Sequence, residues 1–265
     1  AFDYEKVRYI PGIFDNVDLI LSGTPYIRNV QVAPDIDKKT VRIQSKILGG
    51  ANPSSSRVAF LIRETATGKI AGELVTGKLA FEAGNENLLD VEIPVANCTC
   101  WSPEKPFLYT LEVSTVADSY KTRFGMREFH FDPVSQKAVL NGKPYFLRGT
   151  NITLYRFFED PLCDSLPWNY EWVREMHKKF KDDMNWNSFR NCIGFPPEEW
   201  YNIADAQGFM IQDEFPIWYG TPSWNKWTKS LNSEELAVEF REWMEERWNH
   251  PSVIIWDANN ETRLS

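Results

Sequence analysis

The chain has 265 residues, a formal net charge of −8 at pH 7 and 43% hydrophobic residues. This length suffices for two ordinary domains or one barrel, and the composition is typical of a folded globular protein. The acidic charge argues against a nucleic-acid partner, because such partners are bound by basic surfaces. No apolar run approaches the roughly 20 residues that span a bilayer, so we expect no membrane partner either.

The four cysteines, Cys98, Cys100, Cys163 and Cys192, contain no CxxC pair. Cys98 and Cys100 lie close in sequence, but no second cluster and no nearby histidine completes a metal site. We expect them to be buried or half-buried thiols. The redox compartment stays undecided.

The first segment, residues 1–24, contains an alternation of polar and apolar residues at 16–20 that is typical of a strand. No earlier strand is available to pair with it. We therefore expect residues 1–24 to be the end of a preceding domain.

Residues 25–133 have an all-β pattern. Alternating or apolar segments separated by turn residues lie at 30–32, 41–47, 58–62, 89–93 and 108–113. About seven short strands at this spacing indicate an immunoglobulin-like β-sandwich. Such a domain would support or position a neighbour.

From residue 134 to 265 predicted strands alternate with helices. The strands lie at 145–149, 186–190, 209–213 and 253–256, and the helices at 169–181, 197–206 and 233–248, with Ser233 as N-cap of the last. Four such steps predict a parallel sheet, either open or part of a (β/α)8 barrel. Because 253–256 is continuously apolar, we expect the fourth strand to be buried on both faces.

Polar residues follow each predicted strand of this region. They are Asn151 and Thr153, then Arg190 and Asn191, then Asp213 and Glu214, and finally Asn260 and Glu261. The carboxyl ends of parallel strands meet at one edge, where such folds keep their chemistry. Each residue alone could equally be a cap or a surface ion pair, but their joint placement indicates a functional site.

Five motifs carry a resemblance to a known family. They are PGIFDNV at 11–17, WSPEKPFLY at 101–109, RFGMRE at 123–128, NGKPYFLRGTN at 141–151, and NHPSVIIW at 249–256 followed by Asn260 and Glu261. In this order they resemble signatures of glycoside hydrolase family 2, which includes β-galactosidases, β-glucuronidases and β-mannosidases. The resemblance implies a fold of several domains, β plus α/β: the end of a jelly-roll sugar-binding domain (1–24), a complete sandwich (25–133) and the first half of a (β/α)8 barrel (134–265).

The resemblance also implies a function, that of a retaining exo-β-glycosidase acting on O-glycosidic bonds of β-linked sugars. Glu261 would be the general acid/base, Asn260 would bind the sugar 2-hydroxyl, and Arg190 would hold the carboxylates of the site. Retaining hydrolysis needs one carboxyl group to protonate the leaving oxygen and another to attack the anomeric carbon. We group four further residues with the substrate site: Asn151, Asp213, Glu214 and Trp218. Asp213 and Glu214 would shape the pocket or bind a cation, and Trp218 or Trp256 would help keep Glu261 protonated.

This sequence departs from the family pattern in three places. Many members have histidines where residues 151–153 and 191–196 stand here, which puts the usual galactose contacts in doubt. The family's nucleophile follows a seventh strand, and no residue of this chain takes that role. We therefore expect a fragment that is inactive alone.

Other interpretations remain open. The chain could be a non-catalytic carbohydrate-binding or assembly module, with unpaired barrel edges joined in a homo-oligomer. A complete four-unit α/β enzyme of another kind would need a phosphate-binding glycine loop, and no such pattern is found. We expect no cofactor, although a divalent or monovalent cation in a longer parent stays open. Localisation is undecided, though many bacterial family members are exported.

Overall fold

The computed structural model describes residues 13, 15–95, 97–217 and 232–261. The chain forms two compact units. The sandwich unit comprises Asp18–Tyr145 and Trp248–Pro251, and the strand–helix unit comprises Ala1–Val17, Phe146–Arg247 and Ser252–Ser265. Within the described residues, no helix combines the length and the apolar character needed to cross a membrane.

The sandwich unit contains two main antiparallel sheets. Its strands are β1 (Tyr26–Asp35), β2 (Thr40–Leu48), β3 (Ser54–Ser56), β4 (Ala59–Glu64), β5 (Ile70–Val75), β6 (Leu79–Phe81), β7 (Glu86–Pro94), β8 (Tyr109–Ser114) and β9 (Ser119–Phe124). One sheet has the order β1-β2-β7 and the other the order β5-β4-β8-β9, while β3 pairs with β6. Three strands against four is the arrangement of a small immunoglobulin-like sandwich, so the predicted fold class is confirmed.

Alternation along the strands forms the sandwich core. Along β2, the residues Val41, Ile43, Ser45 and Ile47 are buried while their neighbours are more exposed. This period of two places one face of each strand inside the sandwich. The five segments predicted from apolar patterns fall on β1, β2, β4, β7 and β8, whereas the pattern missed β3, β5, β6 and β9.

A small sheet and a short segment complete the sandwich unit. The sheet has the order β10 (Phe129–Asp132), β11 (Lys137–Leu140) and β12 (Lys143–Pro144). In the segment Trp248–Pro251, the side chain of Asn249 donates to the carbonyl oxygen of Val30 at 2.8 Å and accepts from the amide of Val32 at 2.8 Å. These bonds attach the segment to β1, an edge strand of its sheet.

The strand–helix unit has a four-stranded parallel sheet of order β13-β14-β15-β16. Its strands are β13 (Gly149–Ile152), β14 (Ser188–Asn191), β15 (Met210–Glu214) and β16 (Val253–Asp257). Its helices are α1 (Leu154–Phe157), a 3-10 helix (Leu166–Trp168), α2 (Tyr170–Asp182), α3 (Glu198–Gln207) and α4 (Ser233–Arg247). The predicted parallel sheet is confirmed.

The N-termini of α2 and α4 and the C-terminus of α3 follow local capping rules. The side chain of Asn169 accepts from the amide of Trp172 at 3.1 Å and caps α2, while α3 ends at Gly208, whose φ of +70° suits glycine. The prediction of Ser233 as the N-cap of α4 was wrong. Ser233 is the first helical residue, and the side chain of Asn232 accepts from the amide of Glu234 at 2.9 Å.

Three strand predictions also need correction. Residues 16–20 form no strand, and Val17 and Leu19 are exposed. The strand predicted at 145–149 lies at Gly149–Ile152 instead, and at its start a Cβ on Gly149 would lie 1.7 Å from the carbonyl oxygen of Ser188. Finally, β16 is only half-buried beyond Val253, because it is the outermost strand of the described sheet.

The helices cover one face of this sheet, here called the helical face. Its apolar core is formed by strand and helix residues together: Ile152, Val173, Phe189, Trp200, Tyr201, Ile203, Ala204, Phe209, Ile211 and Val253. His177 of α2 is enclosed in this core, with ring centroids of Phe189 and Phe209 each 5.3 Å away. The opposite face of the sheet carries the polar residues described next.

Candidate functional site

The strand register brings polar side chains to one face of the sheet, here called the polar face. Asn151 pairs with Arg190, Arg190 with Gln212 and Gln212 with Ile255 across the four strands. Adjacent residues of a strand point to opposite faces, so these four share the face away from the helices. Together with neighbouring residues they line an open cleft of about 450 Å³.

Arg190 connects three strand ends on this face. Its Nε and Nη2 both donate to Oε2 of Glu214, the former at 2.7 Å, and Nη2 also donates to Oδ1 of Asn260 at 2.7 Å. The guanidinium is therefore bound to β15 and to the residues following β16. Because its donors lie in one rigid plane, Arg190 fixes the directions of both partners.

Glu214 is completely buried at the end of β15. Besides the bonds from Arg190, its Oε1 accepts from the backbone amide of Ile193 at 2.7 Å. Burial raises the pKa of Glu214, and the contacts with Arg190 and the Ile193 amide offset this only in part. Its two oxygens are thus both occupied by protein donors.

Two residues of the site have left-handed backbone conformations. Ile193 has φ of +56° and Glu261 has φ of +50°. This region is unfavourable for residues other than glycine, especially for a β-branched one such as Ile193. Strain of this kind concentrates at functional sites, where surrounding contacts hold it in place. For Ile193 that contact is the hydrogen bond from its backbone amide to the carboxylate of Glu214.

Two residues that the sequence analysis did not assign join the cluster. Oδ2 of Asp257, the last residue of β16, accepts from Nε2 of Gln212 at 2.7 Å and lies 3.7 Å from Nε of Arg190. The signal was present in the sequence, because Asp257 stands two residues after Ile255 and so shares its face. Gln212 likewise stands two residues before Glu214 and so lies on the same face.

Asp213 lies apart from this cluster. It is completely buried on the helical face, where its carboxylate accepts from the side chains of Asn191 at 2.9 Å, Tyr201 at 2.7 Å and Trp243 at 2.8 Å. Arg247 lies 3.7 Å from the same carboxylate. Asp213 was predicted to shape the pocket together with Glu214, but adjacent strand residues face opposite ways, so Asp213 belongs to the packing of helices on the sheet.

The remaining predicted residues are distributed as follows. Asn151 is exposed on the polar face, beside Arg190 in the register. Asn260 is half-buried, and its backbone amide donates a hydrogen bond to the carbonyl oxygen of Ile217 at 2.8 Å. Glu261 is exposed next to it. Trp218 lies outside the described residues. The structure therefore brings Glu214 and Asn260 into direct contact with Arg190.

Over the described parts of the chain, no group of three or more His, Cys, Asp or Glu side chains is arranged to hold a metal ion. The four cysteines are free and half-buried. The oxygens of Asp213 and Glu214, which the sequence analysis considered for a cation, accept hydrogen bonds from the protein itself.

Two family models match most of the chain. The model for glycosyl hydrolases family 2 matches residues 25–127, and the model for the TIM barrel domain of the same family matches residues 135–265. The chain belongs to glycosyl hydrolases family 2. The predicted resemblance is thereby confirmed, and the four-stranded sheet corresponds to part of that family's barrel.

Relatives within family 2 span nearly all of the chain. A β-galactosidase of Leuconostoc mesenteroides is 26% identical over 98% of the chain, and one of Lactococcus lactis is 30% identical over 99%. A crystal structure of a β-glucuronidase from Bacteroides uniformis is 22% identical and has the same fold, with a TM-score of 0.71 over 89% of this chain and 29% of its own. The chain spans about 26% of the length of these two β-galactosidases.

Proposed function

We propose that this chain carries the acid/base side of the active site of a retaining exo-β-glycosidase. The hydrogen bond from Arg190 to Asn260 carries the proposal, because it fixes the Asn-Glu pair at the carboxyl end of a barrel strand. That edge is where barrel enzymes keep their catalytic residues. Family membership and the β-galactosidase relatives support the same chemistry.

Glu261 has the role of proton donor and acceptor. As an acid it protonates the glycosidic oxygen when the bond to the anomeric carbon breaks, and as a base it then removes a proton from the attacking water. Its exposed position beside the polar face leaves it accessible to a substrate. The left-handed backbone of Glu261 is the kind of strain that such sites retain.

Asn260 has the role of binding the sugar 2-hydroxyl. Its Oδ1 accepts from Arg190, so Nδ2 is the atom that donates to the substrate oxygen. Hydrogen bonds to this hydroxyl strengthen in the transition state of retaining enzymes. Arg190 and Glu214 therefore support catalysis by orienting the side-chain amide of Asn260. Asn151 lines the open cleft of the polar face together with Arg190.

We assign the nucleophile to no residue of this chain. Among the described residues, the carboxylates on the polar face besides Glu261 are Glu214 and Asp257, and Arg190 contacts both. The segment 218–231 contains no Asp or Glu in its sequence. A retaining mechanism needs a second carboxylate about 5–5.5 Å from the acid. The 265-residue chain alone is therefore inactive towards β-linked glycosides of the galactoside type.

The acid/base role is tested by the leaving group. In the longest natural chain that contains these residues, Glu261→Gln should lower kcat/KM at least about hundredfold for alkyl β-glycosides, which need a proton donor. Dinitrophenyl β-glycosides, whose leaving group needs no proton, should lose far less in the glycosylation step, measured as the pre-steady-state burst. Glu242→Gln on the exposed face of α4 is the matched control.

Two results would contradict the proposal. An equal loss for both leaving groups would remove the acid/base role from Glu261. Turnover of aryl β-glycosides by the 265-residue chain itself, abolished by Glu261→Gln, would refute its inactivity.

A further inference from the structure

Asp257 and Gln212 form the one part of the polar-face cluster that the proposed function leaves without a role. Both side chains are partly exposed, and the carboxylate of Asp257 is 27% exposed. Their contact joins β15 to β16, with Nε2 of Gln212 donating to Oδ2 of Asp257 at 2.7 Å.

The position of Asp257 relative to Arg190 gives it an electrostatic role. Its Oδ2 lies 3.7 Å from Nε of Arg190, beyond hydrogen-bond distance but within ion-pair range. Burial lowers the pKa of Arg190, while Glu214 and, to a smaller extent, Asp257 raise it, so that the net pKa lies above the usual value. Two carboxylates therefore hold the guanidinium charge from the β15 and β16 sides.

The backbone of Asp257 also fixes the strand end. Its carbonyl oxygen accepts from the amide of Phe215 at 2.8 Å, directly after Glu214. Asp257 is thus attached to β15 by backbone and by side chain, three residues before Asn260. Small errors in the orientation of a catalytic group can lower rates by about a hundredfold, so a contact of this kind has consequences at the reacting atoms.

We propose that Asp257, held by Gln212, is a positioning residue that orients Arg190 so that Asn260 presents its amide to the sugar 2-hydroxyl. The inference rests on the proposed function, because it assumes that Asn260 binds that hydroxyl. Asp257 acts through Arg190 and touches no reacting atom. Its carboxylate keeps the guanidinium plane in place, and Gln212 prevents the carboxylate from turning away to solvent.

The test compares an aryl β-glycoside with its 2-deoxy analogue in the longest natural chain that contains these residues. The ratio of the two kcat/KM values reports only the 2-hydroxyl contribution and is independent of the fraction of folded protein. We expect Asp257→Asn to lower this ratio about tenfold, and Gln212→Met to lower it by a smaller factor. Asp90→Asn changes the exposed carboxylate that pairs with Arg42 in the sandwich unit, and this variant should leave the ratio unchanged.

A double-variant cycle completes the test. If Asp257 acts through Asn260, then Asn260→Ala alone should abolish most of the 2-hydroxyl contribution, and Asp257→Asn should lower the ratio no further in that background. An unchanged ratio in Asp257→Asn and Gln212→Met, or independent effects in the double variant, would overturn the inference. The leaving-group test of Glu261→Gln is separate, so failure of the acid/base role is distinguishable from failure of this proposal.

Discussion

Asp15 caps a helix that begins 183 residues later in the chain: its Oδ2 accepts a hydrogen bond from the backbone amide of Glu198 at 2.8 Å. The residue at the N-cap of α3 is Pro197, whose side chain has no hydrogen-bonding atom. A remote carboxylate therefore replaces the local cap, and its charge also suits the positive end of the helix.

Replacing this cap should weaken α3. We expect Asp15→Ala to lower the free energy of unfolding by about 1 kcal/mol, because an amide at the helix start loses its acceptor. Urea denaturation followed by tryptophan fluorescence, together with hydrogen exchange at the Glu198 amide, measures the effect. Asp18→Ala, at an exposed position nearby, is the control. Unchanged exchange at Glu198 would show that water replaces Asp15 without cost.

Removal of Arg190 should leave Glu214 buried without its cation. We expect Arg190→Met to lower the free energy of unfolding by about 3 kcal/mol at pH 7, the usual result of breaking a buried ion pair. Because Glu214 can then take up a proton, the loss should shrink as the pH is lowered. Adding Glu214→Gln should restore part of the stability. A double variant no more stable than Arg190→Met would contradict this account, as measured by denaturation of the three proteins.

Asp213 should matter for stability alone. Asp213→Asn places an amide NH2 group where Trp243 or Tyr201 now donates, so two donors face each other in a buried site. We expect a loss of about 3 kcal/mol in the free energy of unfolding. The ratio of kcat/KM for an aryl β-glycoside to kcat/KM for its 2-deoxy analogue should stay at the wild-type value, since Asp213 lies on the helical face. A lowered ratio would instead assign Asp213 to the substrate site.

His177 makes the stability of the chain sensitive to acid. Burial lowers the pKa of His177 to about 4, against an ordinary value of 6.5, and the side chain of Gln207 opposes this only in part. Neither ring nitrogen has a hydrogen-bond partner among the described residues. The unfolded chain therefore takes up a proton at higher pH than the folded chain does. The contribution of neutral His177 to the free energy of unfolding is fully present above about pH 6.5. It is lost as the pH falls towards 4, by about 3 kcal/mol in all.

The variant His177→Phe removes this titration and suits the aromatic surroundings. The difference in unfolding free energy between the variant and the wild type should grow in favour of the variant from pH 7 to pH 4.5. His130→Gln, at an exposed histidine, is the matched control. A difference that stays constant with pH would mean that the imidazole becomes protonated within the fold.

The periodic elements were predictable from the sequence because their information is local. The apolar stripe of α2 and the alternation along β2 lie within about a dozen contiguous residues, so five strands of the sandwich and the long helices were found. The boundaries were less accurate: β13 and β14 begin two or more residues later than their apolar runs suggest. An apolar run alone does not start a strand: Phe146 is exposed, and β13 begins only where its backbone has a partner, at Gly149 opposite Ser188.

The sequence by itself determined the family, the order of sandwich and parallel sheet, and the edge at which Arg190, Asn260 and Glu261 collect. Only the tertiary structure decided which groups touch there. It separated Asp213 from Glu214, joined Asp257 and Gln212 to Arg190, enclosed His177 and placed Asp15 on α3. The physical reason is that contacts such as those from Arg190 to residues 24 and 70 positions away depend on strand register and side-chain direction. No local pattern encodes these, and they arise only when the strands have paired.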